Sequence, residues 1–319
     1  MQIHRLGLGL AALGRPGYIN LGHSEDLRSN YSVVSMEAHC HAMLDAAYHA
    51  GIRHFDTARS YGRAEEFLGN WLKLRIPNDV FISSKWGYRY TADWKVEAEH
   101  HEIKEHSLDQ LGRQYAESST TLGANLDLYQ IHSATLESGV LENGTVLDEL
   151  ERLKESGLRI GLSTSGPRQS DVIRRALEIQ RNGSQLFGSV QCTFNLLESS
   201  VESAASEAHD AGWMVIVKES VANGRLTRRN HRTDDSDLID FLGEEGSRLG
   251  CEPDAVSIAW VLSHSWVDRL LSGAATEEQL RSHVRGCALS LESEWKARAA
   301  RWSESPKDYW QIRSTLDWN

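Results

Sequence analysis

Eight short β-like runs punctuate the chain, at residues 5–10 (RLGLGL), 53–57 (RHFDT), 79–84 (DVFISS), 126–132 (LDLYQIH), 158–163 (LRIGLS), 188–194 (GSVQCTF), 213–218 (WMVIVK) and 268–273 (DRLLSG). Between them, segments 35–50, 63–75, 103–122, 145–156, 168–181, 198–211 and 276–291 carry apolar residues at three- and four-residue spacing, which predicts amphipathic helices. Strand alternating with helix eight times predicts a parallel sheet, because right-handed crossovers lay the helices over its outer face. Eight such units predict closure into a (β/α)8 TIM barrel. The alternative, an open doubly wound sheet, would carry G-x-G-x-x-G after its first strand, and Gly7, Gly9 and Gly14 do not make that spacing.

No linker divides the 319 residues, so the sequence predicts a single domain over 1–319, with a core at about 4–292 and a tail at 293–319. Two connections exceed a simple crossover. Residues 85–103 are rich in aromatics, and 219–267 hold a polar loop followed by helices near 235–249 and 254–264. The tail is aromatic too, with Trp302, Tyr309, Trp310 and Trp318. Long aromatic segments beyond strand ends suit either a pocket lid or packing on the barrel wall.

A net charge of −11 without any Lys/Arg block argues against nucleic acid or an anionic membrane as partner, which leaves a small molecule. Nothing in the pattern specifies an oligomeric state. Cys40, Cys192, Cys251 and Cys287 are dispersed and form no C-x-x-C pair, so a reducing cytoplasm is the expected compartment. The N-terminal stretch lacks a signal-peptide pattern, and no apolar run approaches the roughly 20 residues of a membrane span. His39 and His41, and His100, His101 and His106, are not at chelating helical spacing, so no metal site is expected and these rings are read as solvated helix surface. Asn143-Gly-Thr and Asn182-Gly-Ser match glycosylation sequons, which carry little weight without secretion.

Barrel enzymes place reacting groups at the C-terminal ends of strands. Asp56 ends the second run, Tyr61 lies in the loop after it, Lys85 ends the third and His132 the fourth. A tyrosine ionises near 10, and an adjacent ammonium is expected to make it a better acid. A carboxylate keeps that ammonium charged, and a histidine directs a second hydrogen bond at an oxygen gaining negative charge. The set suits carbonyl reduction, hydride to carbon and proton to oxygen.

GIRHFDTARSYGRAEEFLGNW, FISSKWG, LDLYQIHS and LRIGLSTSG, in that order, resemble the motifs of the aldo-keto reductase superfamily over about residues 4–290. The resemblance implies an oxidoreductase moving hydride between a nicotinamide cofactor and an aldehyde, ketone or sugar-like alcohol, with Asp56, Tyr61, Lys85 and His132 catalytic and Tyr61 the general acid/base. It implies Ser163, Thr164 and Gln191 around the carboxamide, with Lys218 where an aromatic ring is common. Ser272, Gly273, Gln279 and His283 are implied around the rest of the nucleotide, where the start of the following helix is expected to offer free N–H groups to anions. Trp86, Tyr88 and Trp94 follow Lys85 and are the expected substrate-pocket residues. NADP(H) is implied by the resemblance, with NAD(H) the alternative. Residues 272–283 put no cation at Ala274, Ala275 or Thr276, and Glu277 and Glu278 repel phosphate, so weak discrimination is expected. The alternative functions are an NAD-dependent aldose dehydrogenase and a non-catalytic nicotinamide-binding regulatory subunit; the intact set of four argues against the latter.

Overall fold

The structure, a computed structural model, describes residues 2–319. Eight parallel strands close on themselves: β1 (Leu6–Gly9), β2 (His54–Asp56), β3 (Phe81–Trp86), β4 (Leu126–Ala134), β5 (Arg159–Thr164), β6 (Ser189–Thr193), β7 (Met214–Lys218) and β8 (Arg269–Ser272). Each pairs with the next, and β8 returns to β1 through Leu6 opposite Leu270 and Leu8 opposite Ser272, so the barrel has no open edge. The outer ring is α1 (Val33–His49), α2 (Ala64–Arg75), α3 (Leu108–Leu122), α4 (Gly144–Glu155), α5 (Gln169–Leu177) and α6 (Glu202–Asp210), then α7 (Ser236–Leu249), α8 (Pro253–Leu262) and α9 (Glu277–Gly286). α10 (Ser293–Ala299) and α11 (Pro306–Ser314) form the tail. Among the described residues no helix is long and apolar enough to cross a membrane.

Side chains alternate along each strand, so one parity faces the helices and the other fills the barrel. Phe55, Ile82, Tyr129, Ile131, Leu162 and Val190 are fully buried in the large core between wall and helices. Leu128, Ile216 and Leu271, on the opposite parity, form a small cluster of their own with Phe81 and Met214 against it. Above that apolar plug the same inward parity presents Asp56, Lys85, Gln130, His132, Ser163, Gln191 and Lys218. A packed floor below and polar groups above define one working end.

Helix starts follow their caps. Ser32, Ser107 and Thr276 each accept a backbone N–H three residues on, so 103–107 is not helix as the sequence predicted. That stretch pairs instead as Glu102–Lys104 antiparallel to Tyr88–Tyr90, a hairpin over the barrel mouth. Asn143 caps α4 through its side-chain oxygen. The expected helix 168–181 stops at Leu177, because Gln180–Arg181 and Ser184–Gln185 pair across Asn182 and Gly183, both at positive φ (47° and 78°), the Asn-Gly turn of a two-residue hairpin.

Two glycines seat the loop that carries Tyr61. Gly62 has φ 60°, and a Cβ there would lie 2.4 Å from the Gly14 carbonyl oxygen; a Cβ on Gly14 would lie 2.4 Å from the Tyr61 carbonyl oxygen. The Arg63 amide donates to that Gly14 oxygen at 2.8 Å, locking the β1 loop to the start of α2. Gly62→Ala is expected to cost about 1–3 kcal/mol of stability, as a left-handed non-glycine residue does in a place with no room to relax. Urea unfolding measures it, and an unchanged midpoint would mean that the two loops are free to separate.

Candidate active site

Three strands and one loop bring Asp56, Lys85, His132 and Tyr61 together at the C-terminal mouth. Lys85 Nζ pairs with Asp56 Oδ2, donates to the Thr57 carbonyl at 3.0 Å and to Tyr61 Oη at 3.3 Å. Asp56 Oδ1 accepts from Ser83 Oγ at 2.7 Å and Gln191 Nε2 at 3.0 Å. Behind Ser83, its hydroxyl lies 2.8 Å from His54 Nε2. His132 Nδ1 lies 3.3 Å from Ser60 Oγ, and its ring meets Tyr61 and Tyr88 edge-on with centroids 5.4 and 5.0 Å apart. The Tyr61 loop is held from outside by Arg59, whose guanidinium pairs with the buried Glu65 of α2 at 2.8 Å and with Glu117 of α3 at 2.9 Å.

Burial governs the ionisation of this cluster. The Tyr61 phenol is pushed well above its ordinary value near 10, first by burial and then by the charges of Asp56 and Glu102, against which Arg15 works in the opposite direction. Desolvation of a phenolate outweighs the opposing charge of Arg15, and the hydroxyl keeps its proton through neutral pH. His132 is pushed well below 6.5 by burial and then by Lys85 and Arg15, so its imidazole is neutral there.

The mouth opens into a cavity of about 240 Å³ walled by Tyr61, His132, Ser163 and Gln191, together with Lys218, Ser272 and Gly273 from the far strands. Sequence reading missed Arg15, Tyr18, Glu102 and Arg313 on its wall. Arg15, a lone arginine in the β1 loop with no motif to flag it, packs its guanidinium on the rings of Tyr18, Tyr61 and Trp318 (5.0, 5.2 and 4.9 Å) and pairs with Glu102 of the hairpin at 2.7 Å. A second cavity of about 280 Å³, reached past Asn20, Val221 and Gly273, which line both, holds Gln279 and His283. The two make one elongated trough.

The other expected residues lie elsewhere. Thr164 and Trp86 directly follow inward-facing Ser163 and Lys85, so alternation turns them outward: Thr164 Oγ1 lies 3.3 Å from Gln169 of α5, and Trp86 is fully buried with its ring against His106. Trp94 is turned to Phe67 and donates its indole N–H to the Tyr31 carbonyl at 2.6 Å. Of the three expected pocket aromatics, Tyr88 is on the cavity wall. Gln191 gives its amide N–H to Asp56, leaving its oxygen for another partner. Lys218 Nζ donates to Thr193 Oγ1 at 2.6 Å, and Glu219 beside it is clasped by Arg313 of α11. Of the histidines read as solvated surface, His100 is exposed, whereas His101 and His106 are structural. His101 stacks on Trp318 at 3.8 Å, and His106 donates to the His132 carbonyl at 2.9 Å.

The model of the Aldo/keto reductase family matches residues 5–301. The chain is similar to the aldo-keto reductase str7 of Strobilurus tenacellus, at 24% identity over 94% of this chain and 89% of that one. It is likewise similar to the D-threo-aldose 1-dehydrogenase of a Pseudomonas species, at 26% identity over 89% and 92%. In fold it matches an aldo-keto reductase of Bacillus halodurans solved in its holo form, with a TM-score of 0.69 and 21% identity over 94% and 92% of the two chains. This chain belongs to the aldo/keto reductase family and is an oxidoreductase of that family.

The buried histidines set an acid limit to the fold. His23, His54 and His106 are pushed down to about 4 and His132 well below 6.5, burial being the first cause for each. In the unfolded chain such rings take protons near about 6.5. Below that pH the unfolded state binds more protons, so the stability these neutral rings support is present above it and lost on descending towards 4. Unfolding free energy from urea titrations is expected to fall between pH 7 and 5, with a slope approaching about four protons at the acid end. A flat profile over that interval would mean that the four rings titrate as if in water.

Proposed function

We propose that this protein catalyses reversible reduction of an aldehyde or ketone, with Tyr61 as the proton donor. The observation that carries the reading is the placement of Lys85 Nζ between Asp56 Oδ2 and Tyr61 Oη, 3.3 Å from the latter, at the wall of a cavity that His132 shares. The cofactor is a nicotinamide dinucleotide, NADP(H) by resemblance or NAD(H), and the trough fits one. Ser163 Oγ accepts from the Ser133 amide at 2.8 Å and keeps its own proton to donate, Gln191 keeps an oxygen to accept, and Asn223 Oδ1 is a buried wall oxygen with no partner. These groups would hold a carboxamide and the adjoining nucleotide, whose nicotinamide supplies the hydride when bound.

In this reading a carbonyl oxygen sits between Tyr61 Oη and the His132 imidazole. As hydride reaches carbon, Tyr61 Oη releases its proton to oxygen, giving the alcohol. Lys85 stabilises the phenolate left behind, and Asp56 keeps that ammonium charged in a desolvated place. Neutral His132 donates a hydrogen bond to the developing oxyanion without competing to release a proton. Oxidation of an alcohol runs the same path backwards. A polyhydroxylated substrate, an aldose in the oxidative direction, is a second reading, favoured by a wall that sets the Arg15–Glu102 pair beside Tyr18, Tyr88 and Trp318 and by the Pseudomonas relative's name.

Tyr61→Phe is expected to lower carbonyl-reducing kcat by about 10²- to 10⁴-fold while nucleotide binding, followed by fluorescence, persists. Absorbance assays of carbonyls with reduced nucleotide, and of aldoses with oxidised nucleotide, decide the direction. Normal turnover in Tyr61→Phe would remove Tyr61 from the chemistry, and nucleotide binding without turnover on any substrate would favour the regulatory subunit.

A further inference from the structure

We infer that the chain selects NAD(H) over NADP(H) and that an acidic second cavity, centred on Asp26, makes the selection. The inference rests on the oxidoreductase reading above. If the nicotinamide end reaches Tyr61, the other end of an extended dinucleotide lies in the second cavity, and the two nucleotides differ only by a phosphate on the adenosine ribose. Four carboxylates line that cavity, Asp26, Glu252, Asp254 and Glu278, against two guanidiniums, Arg228 and Arg229.

Both guanidiniums are already engaged. Arg228 pairs with Glu252 at 2.6 Å. Arg229 grips Asp26 with both terminal nitrogens, at 2.8 and 2.5 Å, and also donates to the carbonyls of Leu21 and Gly22. The exposed Arg281, the cation near this region in sequence, pairs along its own helix with Glu277. The start of α9 offers an anion little, because most of the N–H groups expected to be free there are taken and the amides of Glu277 and Glu278, which are not, lie beside acidic side chains. The Ala274 amide donates to Ser272 Oγ, those of Ala275 and Thr276 to Gln279 Oε1, and that of Gln279 to Thr276 Oγ1, while Glu277 and Glu278 follow in the first turn. An arriving phosphate therefore meets a capped helix and like charge.

Asp26 is the centre of the arrangement. Its side chain is 5% exposed, and its Oδ2 accepts from Gln279 Nε2 at 3.0 Å as well as from Arg229. A carboxylate retains lone-pair capacity to accept from a ribose hydroxyl. A phosphate in the same place must take Arg229 away from Asp26 and leave that carboxylate buried beside a second anion.

The test is binding of NAD+ and NADP+ to the full chain, by calorimetry and tryptophan fluorescence at fixed ionic strength, with no turnover required. NAD+ is expected to bind at least about tenfold more tightly. Asp26→Asn keeps the volume, removes the charge and releases Arg229, and should move the affinity ratio towards NADP+ by about tenfold or more, the weight of one charge-assisted contact. Glu278→Lys, at an exposed position on the same wall, should move it severalfold the same way and carries the test if Asp26→Asn does not fold. Tighter NADP+ binding by the wild type, or a ratio that neither variant moves, overturns the selection and leaves the oxidoreductase reading standing. Binding of neither nucleotide overturns both.

Discussion

The ammonium of Lys85 lies 1% exposed inside the barrel, and a charge in that position is tolerable only while its partners hold it. Moving an ion out of water costs several kcal/mol even after relaxation, and removing one partner of a buried pair typically costs about 3–5 kcal/mol. Asp56 and the Thr57 carbonyl supply the acceptors, and Ser83 and Gln191 in turn satisfy the carboxylate. These groups come from β2, β3, β6 and the loop after β2. Strand register is therefore tied to charge neutrality, since a slip of one residue would send Lys85 into the apolar wall and Trp86 into the mouth. The pair closes the barrel in the correct register, and the same pair leaves a cation against the hydroxyl of Tyr61.

The mouth itself is finished by segments far apart in sequence. Asn319 exchanges two backbone hydrogen bonds with Tyr18, both 3.1 Å, and Trp318 beside it stacks on His101 of the 85–103 connection. Arg15 is caught between these pieces, its charge met by Glu102 and its faces by aromatic rings. Backbone strain gathers on the same rim: Ser133, at an irregularity in the last residues of β4, and Glu219 and Asn223, beyond the end of β7, all hold positive φ (52°, 57° and 55°). Strain of about 1–3 kcal/mol per residue persists only where surroundings over-determine it. At Glu219 the surroundings are explicit, because Arg313 of α11 clasps its carboxylate and holds it below the usual range, at about 2.

The barrel was legible because its signal is repeated eight times and each strand needs only an apolar run between helices. Asp56, Tyr61, Lys85 and His132 were legible because each stands at or just past a strand end, where topology alone assigns position. Thr164, Trp86 and Trp94 depart from expectation for one reason: nearness in sequence to Ser163 and Lys85 is not nearness in space. Applying the two-residue period to Ser163–Thr164 and Lys85–Trp86 would have turned Thr164 and Trp86 outward. Arg15 and Asp26 were out of reach in a stronger sense. Their partners, Glu102 and Arg229, lie 87 and 203 residues away, and only the closed barrel creates the pairs.

The two ends of the trough use charge in opposite ways. At the mouth, Lys85, Arg15 and Lys218 each find a carboxylate nearby, yet Lys85 and Arg15 still face the Tyr61 ring at 4.7 and 5.2 Å, so their fields act where negative charge would develop. In the second cavity the guanidiniums of Arg228 and Arg229 are bound by acids, and two further carboxylates have no arginine at all. On the proposed reading the first arrangement stabilises an anion that exists only in passing, because Lys85 and Arg15, although paired, stay beside the Tyr61 ring. The second, on the selection inferred above, discourages an anion that would be permanent. Both follow from where loops land on a fixed barrel, which is how one parity rule for eight strands supplies a common chemistry while the loops choose what is admitted to it.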